Sequence, residues 1–127
     1  MAKQSRSIAN AGLVDGALQA CPNRPSCVCS TDPRKPHAIA ALTIPEGTED
    51  AIAALAEIIR TMPNTRILKQ EANYLHATFT SRVFRFIDDV ELLLDGDQVQ
   101  VRSVSRVGHS DLGANRKRVE AIRARFQ

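Results

Sequence analysis

The sequence predicts a single α+β domain in which a four-stranded antiparallel sheet, built as two hairpins, carries two helices on one face. Three observations predict it. Apolar residues recur at spacings of three and four between Thr48 and Pro63, and again from about Asp111 onward. From Thr65 to Ser105, apolar and polar residues alternate with a period of two. Turn residues interrupt that alternation at Glu71-Ala72-Asn73 and at Asp95-Gly96-Asp97. The expected order is helix, four strands, helix, preceded by an irregular Cys- and Pro-rich segment.

The chain has 127 residues, 43% of them hydrophobic, and 17 Lys+Arg against 14 Asp+Glu give a net charge of +3. That length suits one compact core, and the composition excludes wholesale disorder. We read residues 21–127 as the domain and residues 1–20 as an N-terminal extension, partly disordered or strap-like. Lys3 and Arg6 precede a weakly apolar stretch from Ile8 to Leu18, a faint likeness to a signal peptide that Asn10, Asp15 and two glycines spoil. Leu18-Gln19-Ala20-Cys21 has the form of a lipid-attachment box without the apolar segment such a box needs. Ile8, Leu13, Val14, Ala17 and Leu18 instead suit a frayed turn or a strap laid over the core. No apolar run approaches the ~20 residues that span a bilayer. The expected location is cytoplasmic, with a periplasmic or membrane-associated protein as the minority reading.

Cys21-Pro22-Asn23-Arg24-Pro25-Ser26-Cys27-Val28-Cys29-Ser30 is the most unusual stretch. Pro22 and Pro25 fix φ and remove two amide donors, and Pro33 and Pro36 extend the irregularity to about His37. Three readings stand: a Cys21–Cys27 disulfide, which a cytosolic chain would keep reduced; a metal site from Cys21, Cys27, Cys29 and His37, whose spacing fits no usual zinc pattern; and small semi-buried thiols in a proline-pinned loop. The last is the expectation, and no metal or cofactor is assigned.

Ile39 to Ile44 reads as a short, Ala-rich strand. In the helix that follows, Thr48 can cap, Glu49 and Asp50 occupy the first turn, Ile52, Leu55, Ile59 and Met62 form the apolar face, and Pro63 ends it. Thr65 to Gln70 pairs with Tyr74 to Ser81, and Val90 to Leu94 with Gln98 to Ser105. The link Arg82 to Asp89 either continues a strand or crosses irregularly. The final helix starts at about Asp111 or Leu112. Leu112, Val119, Ile122 and Phe126 share a stripe with Asn115, and Arg116 can pair with Glu120.

Alternation then assigns faces. With Leu75, Ala77 and Phe79 toward the helices, His76, Thr78, Thr80 and Arg82 share the opposite face, joined by Glu91, Arg102 and Arg106. The guanidinium fork matches carboxylates and phosphates, so Arg82, Arg102, Arg106 and His76 form a candidate anion-binding set. The competing reading is an ordinary solvated sheet face with cross-strand ion pairs. Choosing 13 Arg against 4 Lys keeps the anion site in play. Asp88, Asp89 and Glu91 are the only acidic cluster; Asp88 and Asp89 point to opposite faces, and a structural ion-pair network with Arg82, Arg85 or Arg106 is expected. In Arg106-Val107-Gly108-His109-Ser110-Asp111, a helix N-terminus attracts anions, yet capping by Ser110 or Asp111 is the better reading. Asn115 is expected to be a buried amide satisfied by loop backbone.

Residues 21–30, Tyr74-Leu75-His76-Ala77 with Phe79-Thr80-Ser81-Arg82, Phe86 to Glu91, Val101 to Gly108 and Ser110 to Arg118 together resemble the domain-of-unknown-function family numbered 1499. The likeness runs from about Gly12 to Phe126. It implies no particular activity. It marks Cys21 and Cys27 as the pair the family keeps, and Arg82, Asp88, Asp89, Glu91, Arg102, Arg106, Asp111 and Asn115 as matching its motif positions. Ser26 stands where the family usually has Asn, and Cys29 where it has Ser, which sets Cys29 apart from any shared metal set. Many members carry an N-terminal export or membrane segment, and residues 1–20 do not read as one.

The expected function is a non-catalytic binding or interaction module whose arginine-bearing sheet face receives an anionic small molecule or acidic peptide. The first alternative is a small hydrolase or isomerase using His76 with Asp88 or Glu91. The second is nucleic-acid binding through the basic residues Arg116, Lys117, Arg118, Arg123 and Arg125 of the last helix, which also suit a solvated helix face.

Overall fold

A computed structural model describes residues 11–82, 85–107 and 111–127. The elements run β1 (Cys27–Cys29), β2 (Leu42–Thr43), α1 (Ala51–Arg60), β3 (Thr65–Gln70), β4 (Tyr74–Thr80), β5 (Ile87–Asp95), β6 (Gln98–Ser105) and α2 (Ala114–Phe126). The α+β class and the two helices on an antiparallel sheet hold. The strand count and order do not: the sheet has six strands, ordered β1-β6-β5-β4-β3 with β2 also on β6, and two strands precede the first helix. The reason is the long β6, whose outer edge needs partners for its amides. Cys27–Cys29 takes the half facing Arg102 to Val104, and Leu42–Thr43 takes the half facing Gln98 and Val99. Pro22 and Pro25 lie just before β1, so its own amides remain available for the ladder.

The two expected hairpins are present and fused, since β4 also pairs with β5 from Tyr74↔Leu93 to Thr80↔Ile87. Gly96 at φ +63 makes the tight turn between β5 and β6. Asp50, not Thr48, caps α1, its Oδ1 accepting the Ala53 amide at 3.0 Å; Glu49 and Asp50 therefore precede the helix instead of forming its first turn.

Ile52, Leu55 and Ile59 of α1 and Val119, Ile122 and Phe126 of α2 bury against Leu75, Ala77, Val90, Leu92, Val99 and Val101. Leu112, expected on this stripe, lies before α2 and is 86% exposed.

The opposite face is not simply solvated. Residues 11–21 cross it as a strap. Val14 and Ala17 exchange backbone hydrogen bonds of 2.9 and 3.1 Å around Asp15 and Gly16, both at positive φ, a turn chemistry Asp-Gly adopts readily. Leu18 and Leu13 then pack with Cys21, Cys27, Cys29, Tyr74 and Val104 in a second apolar cluster. Among the described residues, no helix is long and apolar enough to cross a membrane.

Candidate functional site

Half of the second sheet face lies under the strap and holds a buried charge network. Glu91 on β5 and Arg102 on β6 are register partners, and both are essentially inaccessible. Arg102 Nη1 donates to Glu91 Oε1 at 3.2 Å, and the Tyr74 hydroxyl donates to Glu91 Oε2. The strap completes the network: the Gly12 amide donates to Glu91 Oε2 at 2.7 Å, and Arg102 Nη2 donates to the Ala20 carbonyl at 3.3 Å. Burial and the bond to Glu91 push the Tyr74 phenol well above the usual tyrosine range.

A second network lies beside it. Asp89 on β5 receives both guanidinium arms of Arg106, Nε to Oδ2 at 2.8 Å and Nη2 to Oδ1 at 3.0 Å, and His76 Nε2 sits 2.8 Å from Oδ1. Burial pushes the Asp89 carboxyl up, but the hydrogen bonds from His76 and Arg106 outweigh it and hold the group below its ordinary value. A carboxylate so lowered contributes stability that is complete above its unfolded pKa, about 3.9, and is lost as pH falls through the folded value. The urea midpoint is expected to fall between about pH 5 and pH 2, and to fall less steeply in Asp89→Asn. Equal acid slopes in the two proteins would reject this role for Asp89.

The described part of the strap leaves the rest of this face uncovered. A groove of about 610 Å³ runs across the ends of the strands, with Thr78 and Thr80 of β4 among its lining and Arg66, Arg82, Arg85 and Arg106 at its walls. Among the described residues no carboxylate lines it. Arg66, Arg82 and Arg85 are exposed and form no ion pair among the described residues, whereas Arg106 is held by Asp89. Several guanidiniums sharing a groove without counter-charge raise its positive potential, an arrangement suited to a multiply charged anion.

The four residues proposed from sequence as an anion set therefore divide. Arg82 and Arg106 reach the groove; Arg102 is buried against Glu91 beneath the strap, and His76 lies against Asp89. Asp88 points to the helix face, as alternation requires, and pairs with Arg118 of α2 at 2.9 Å. His76 and Asp88 are thus on opposite faces of the sheet, and Glu91 is engaged by Tyr74, Arg102 and Gly12.

Asp111 accepts the Gly113 and Asn115 amides at 2.9 and 3.0 Å, closing the start of α2; burial pushes its carboxyl up, and these hydrogen bonds bring it below the usual range. Ser110, the other capping candidate, lies outside the described residues, as do Gly108 and His109. Asn115 is fully buried, and its partners are mainly side chains, not the loop backbone alone: Ser103, Ser105, Asp111 and Arg118, with the Ser26 carbonyl.

Cys21 and Cys27 form a disulfide with Cα atoms 5.7 Å apart, which joins the strap to β1; of the three readings of this loop it is the disulfide that holds at these two positions, and not the favoured one of small semi-buried thiols. Asp32 accepts the Cys21 amide at 3.0 Å and pairs with Arg34, whose hydrogen bonds hold its carboxyl far below the ordinary value despite burial. Cys29 is a buried thiol, and His37 Nδ1 lies 3.0 Å from the Cys27 carbonyl oxygen. Among the described residues, no group of three or more His, Cys, Asp or Glu is arranged to hold a metal ion.

The basic face of α2 is largely occupied within the chain. Arg116 donates to the Ala38 and Pro36 carbonyls instead of pairing with Glu120, Arg118 pairs with Asp88, and Arg123 takes Glu120 and the Ala40 and Ala41 carbonyls.

Sequence reasoning missed Arg66 and the groove role of Arg85. The signal for Arg66 was available: β3 pairs with β4, so Arg66 opposite Thr78 shares its face. For Arg85 no signal existed, because it sits at positive φ in the turn between strands, where alternation says nothing.

Fold and site define an antiparallel α+β domain with a strapped, ion-paired half-face and an open arginine groove. The chain belongs to the family described as "Protein of unknown function (DUF1499)", which matches residues 17–126. Neither a curated protein nor a solved structure matches it.

Proposed function

We propose that this protein is a binding module that receives an anionic ligand in the groove walled by Arg66, Arg82, Arg85 and Arg106. The observation that carries the reading is that, among the described residues, no carboxylate lines the groove and Arg66, Arg82 and Arg85 form no ion pair. Arg106 serves as a fixed point of charge, oriented by its two bonds to Asp89. The threonine hydroxyls supply further donors to an oxyanion. The chemistry suits phosphoryl or carboxylate groups of a small molecule or an acidic peptide. The Cys21–Cys27 bond supports an oxidising compartment outside the cytoplasm, since cytosolic thiols are kept reduced.

A thermal-shift titration tests it. Pyrophosphate or citrate at ten times its dissociation constant is expected to stabilise the protein by about 1.4 kcal/mol, by mass action on the folded state. Arg66→Ala combined with Arg82→Ala is expected to abolish the shift while leaving the ligand-free melting temperature within a few degrees, because exposed, unpaired side chains contribute little to stability. A flat response of the parent protein to every anion tried would remove the proposal.

A further inference from the structure

One rim of the molecule gathers the ends of four elements. Thr80 at the end of β4 faces Ile87 at the start of β5, the Arg106 amide after β6 donates to the Ile87 carbonyl at 3.0 Å, and Asn115 at the start of α2 holds Ser105. The open end of the arginine groove lies on this rim. So do three exposed apolar side chains: Phe86 at 38%, Val107 at 41% and Leu112 at 86%. A fourth large exposed hydrophobic residue among those described, Leu68 at 44%, lines the groove itself, while Phe86 and Val107 directly follow the groove residues Arg85 and Arg106 in the chain. Single exposed apolar side chains are ordinary. Their concentration beside Arg82, Arg85 and Arg106 is not. Of the carboxylates beside this rim, Asp89 is held by Arg106 and His76, and Asp111 is taken up by the amides and side chain at the start of α2.

We propose that this rim docks the protein on an anionic phospholipid surface, with Phe86, Val107 and Leu112 entering the headgroup layer and the groove arginines receiving lipid phosphates. The proposal rests on the anion-binding reading of the groove and names its partner. Guanidiniums match phosphates and extend from a partly apolar base, while apolar side chains at the same level gain by leaving water. The groove then sits over headgroups and needs no spanning helix.

Co-sedimentation of the full chain with vesicles tests it. Mixed phosphatidylcholine–phosphatidylglycerol vesicles are expected to bind the protein and pure phosphatidylcholine vesicles to leave it in solution, with binding that weakens as salt rises. Arg82→Ala combined with Arg85→Ala is expected to lower the partition coefficient about 25-fold, roughly five-fold for each basic residue near the surface. Phe86→Ser combined with Leu112→Ser is expected to lower it about tenfold while leaving the pyrophosphate thermal shift unchanged, since neither residue lines the groove. A pyrophosphate shift without preference for the mixed vesicles overturns the docking and leaves the groove reading intact. Loss of both overturns both. Retention by a single-stranded oligonucleotide with no vesicle binding assigns the rim to nucleic acid and likewise overturns the docking. The salt and composition dependence of the unmodified protein decides the matter even where a substituted protein fails to fold.

Discussion

Glu91→Ala is expected to lower the unfolding free energy by about 3–5 kcal/mol, the cost of removing one partner of a fully buried ion pair. Glu91 and Arg102 are both within 1% of complete burial, and the carboxylate is also the acceptor for Tyr74 and for the Gly12 amide. The substitution strips Arg102 of its carboxylate and leaves a buried hydroxyl and a backbone donor without an acceptor, each with its own desolvation penalty. For a chain of this length the loss corresponds to a fall in melting temperature of roughly 10 °C or more. Two comparisons separate the pair from mere packing. Glu91→Gln retains an acceptor for Tyr74 and is expected to lose less. Glu91→Leu with Arg102→Met removes both charges, and its loss is expected to fall short of the sum of the single losses, because no uncompensated charge remains. Chemical denaturation of the four proteins gives the cycle; a loss below about 1 kcal/mol for Glu91→Ala would show that the network contributes nothing. The strap should respond as well: residues 12 and 20 are tied to this pair, so backbone amides around them are expected to lose hydrogen-exchange protection in Glu91→Ala before the sheet does.

The second large effect is expected at Asn115, whose replacement by alanine should cost about 2–4 kcal/mol. Its side chain is the junction of three segments. The Oδ1 atom accepts from the Ser103 hydroxyl at 2.6 Å and from Arg118 at 3.0 Å, while Nδ2 donates to Ser105 at 2.9 Å, to Asp111 at 2.7 Å and, more weakly, to the Ser26 carbonyl at 3.3 Å. Alanine leaves a cavity and buried hydroxyls without their partner, and it loosens α2 from β6. Asn115→Asp is the informative companion. It keeps the volume but places a second carboxylate against Asp111, so its deficit should shrink as pH falls and one of the two protonates. A pH-independent deficit in Asn115→Asp, or a loss in Asn115→Ala no larger than that of an exposed residue, would contradict this role.

These two sites show how far the sequence could be read. Glu91 and Arg102 were assigned to one sheet face from alternation alone, and Asn115 was recognised as a polar residue on an apolar stripe. The hydrogen-bond partners were not legible. Tyr74 is on the same alternating row as His76, yet nothing local distinguishes a tyrosine that faces solvent from one whose hydroxyl meets a buried glutamate. Asp88 was assigned a face opposite to Asp89, but its partner Arg118 lies on a helix thirty positions later. Of the two short strands, Leu42–Thr43 falls inside the Ile39 to Ile44 stretch read as a strand, whereas Cys27–Cys29 falls in the stretch read as an irregular loop. Both are too short to display a period, and their pairing is decided by the open edge of β6.

What the sequence determined by itself is the set of local choices: two amphipathic helices, an alternating sheet region, turns at Asn73 and Gly96, and the sorting of side chains onto two faces. Periodicity is a property of neighbours along the chain, so one sequence suffices to read it. Tertiary structure alone decided how the arginines are used. Arg102 is closed in because Gly12 and Ala20, about eighty residues away along the chain, bring the strap across Glu91 and Arg102. Arg66, Arg82 and Arg85 are exposed, since the described part of the strap, residues 11–21, is tied to Glu91 and Arg102 and not to them. Burial of a charged group depends on which distant segment covers it and on the register that brings its counter-charge opposite. The same residue type therefore serves as a structural ion pair on one half of the face and as the wall of an anion groove on the other.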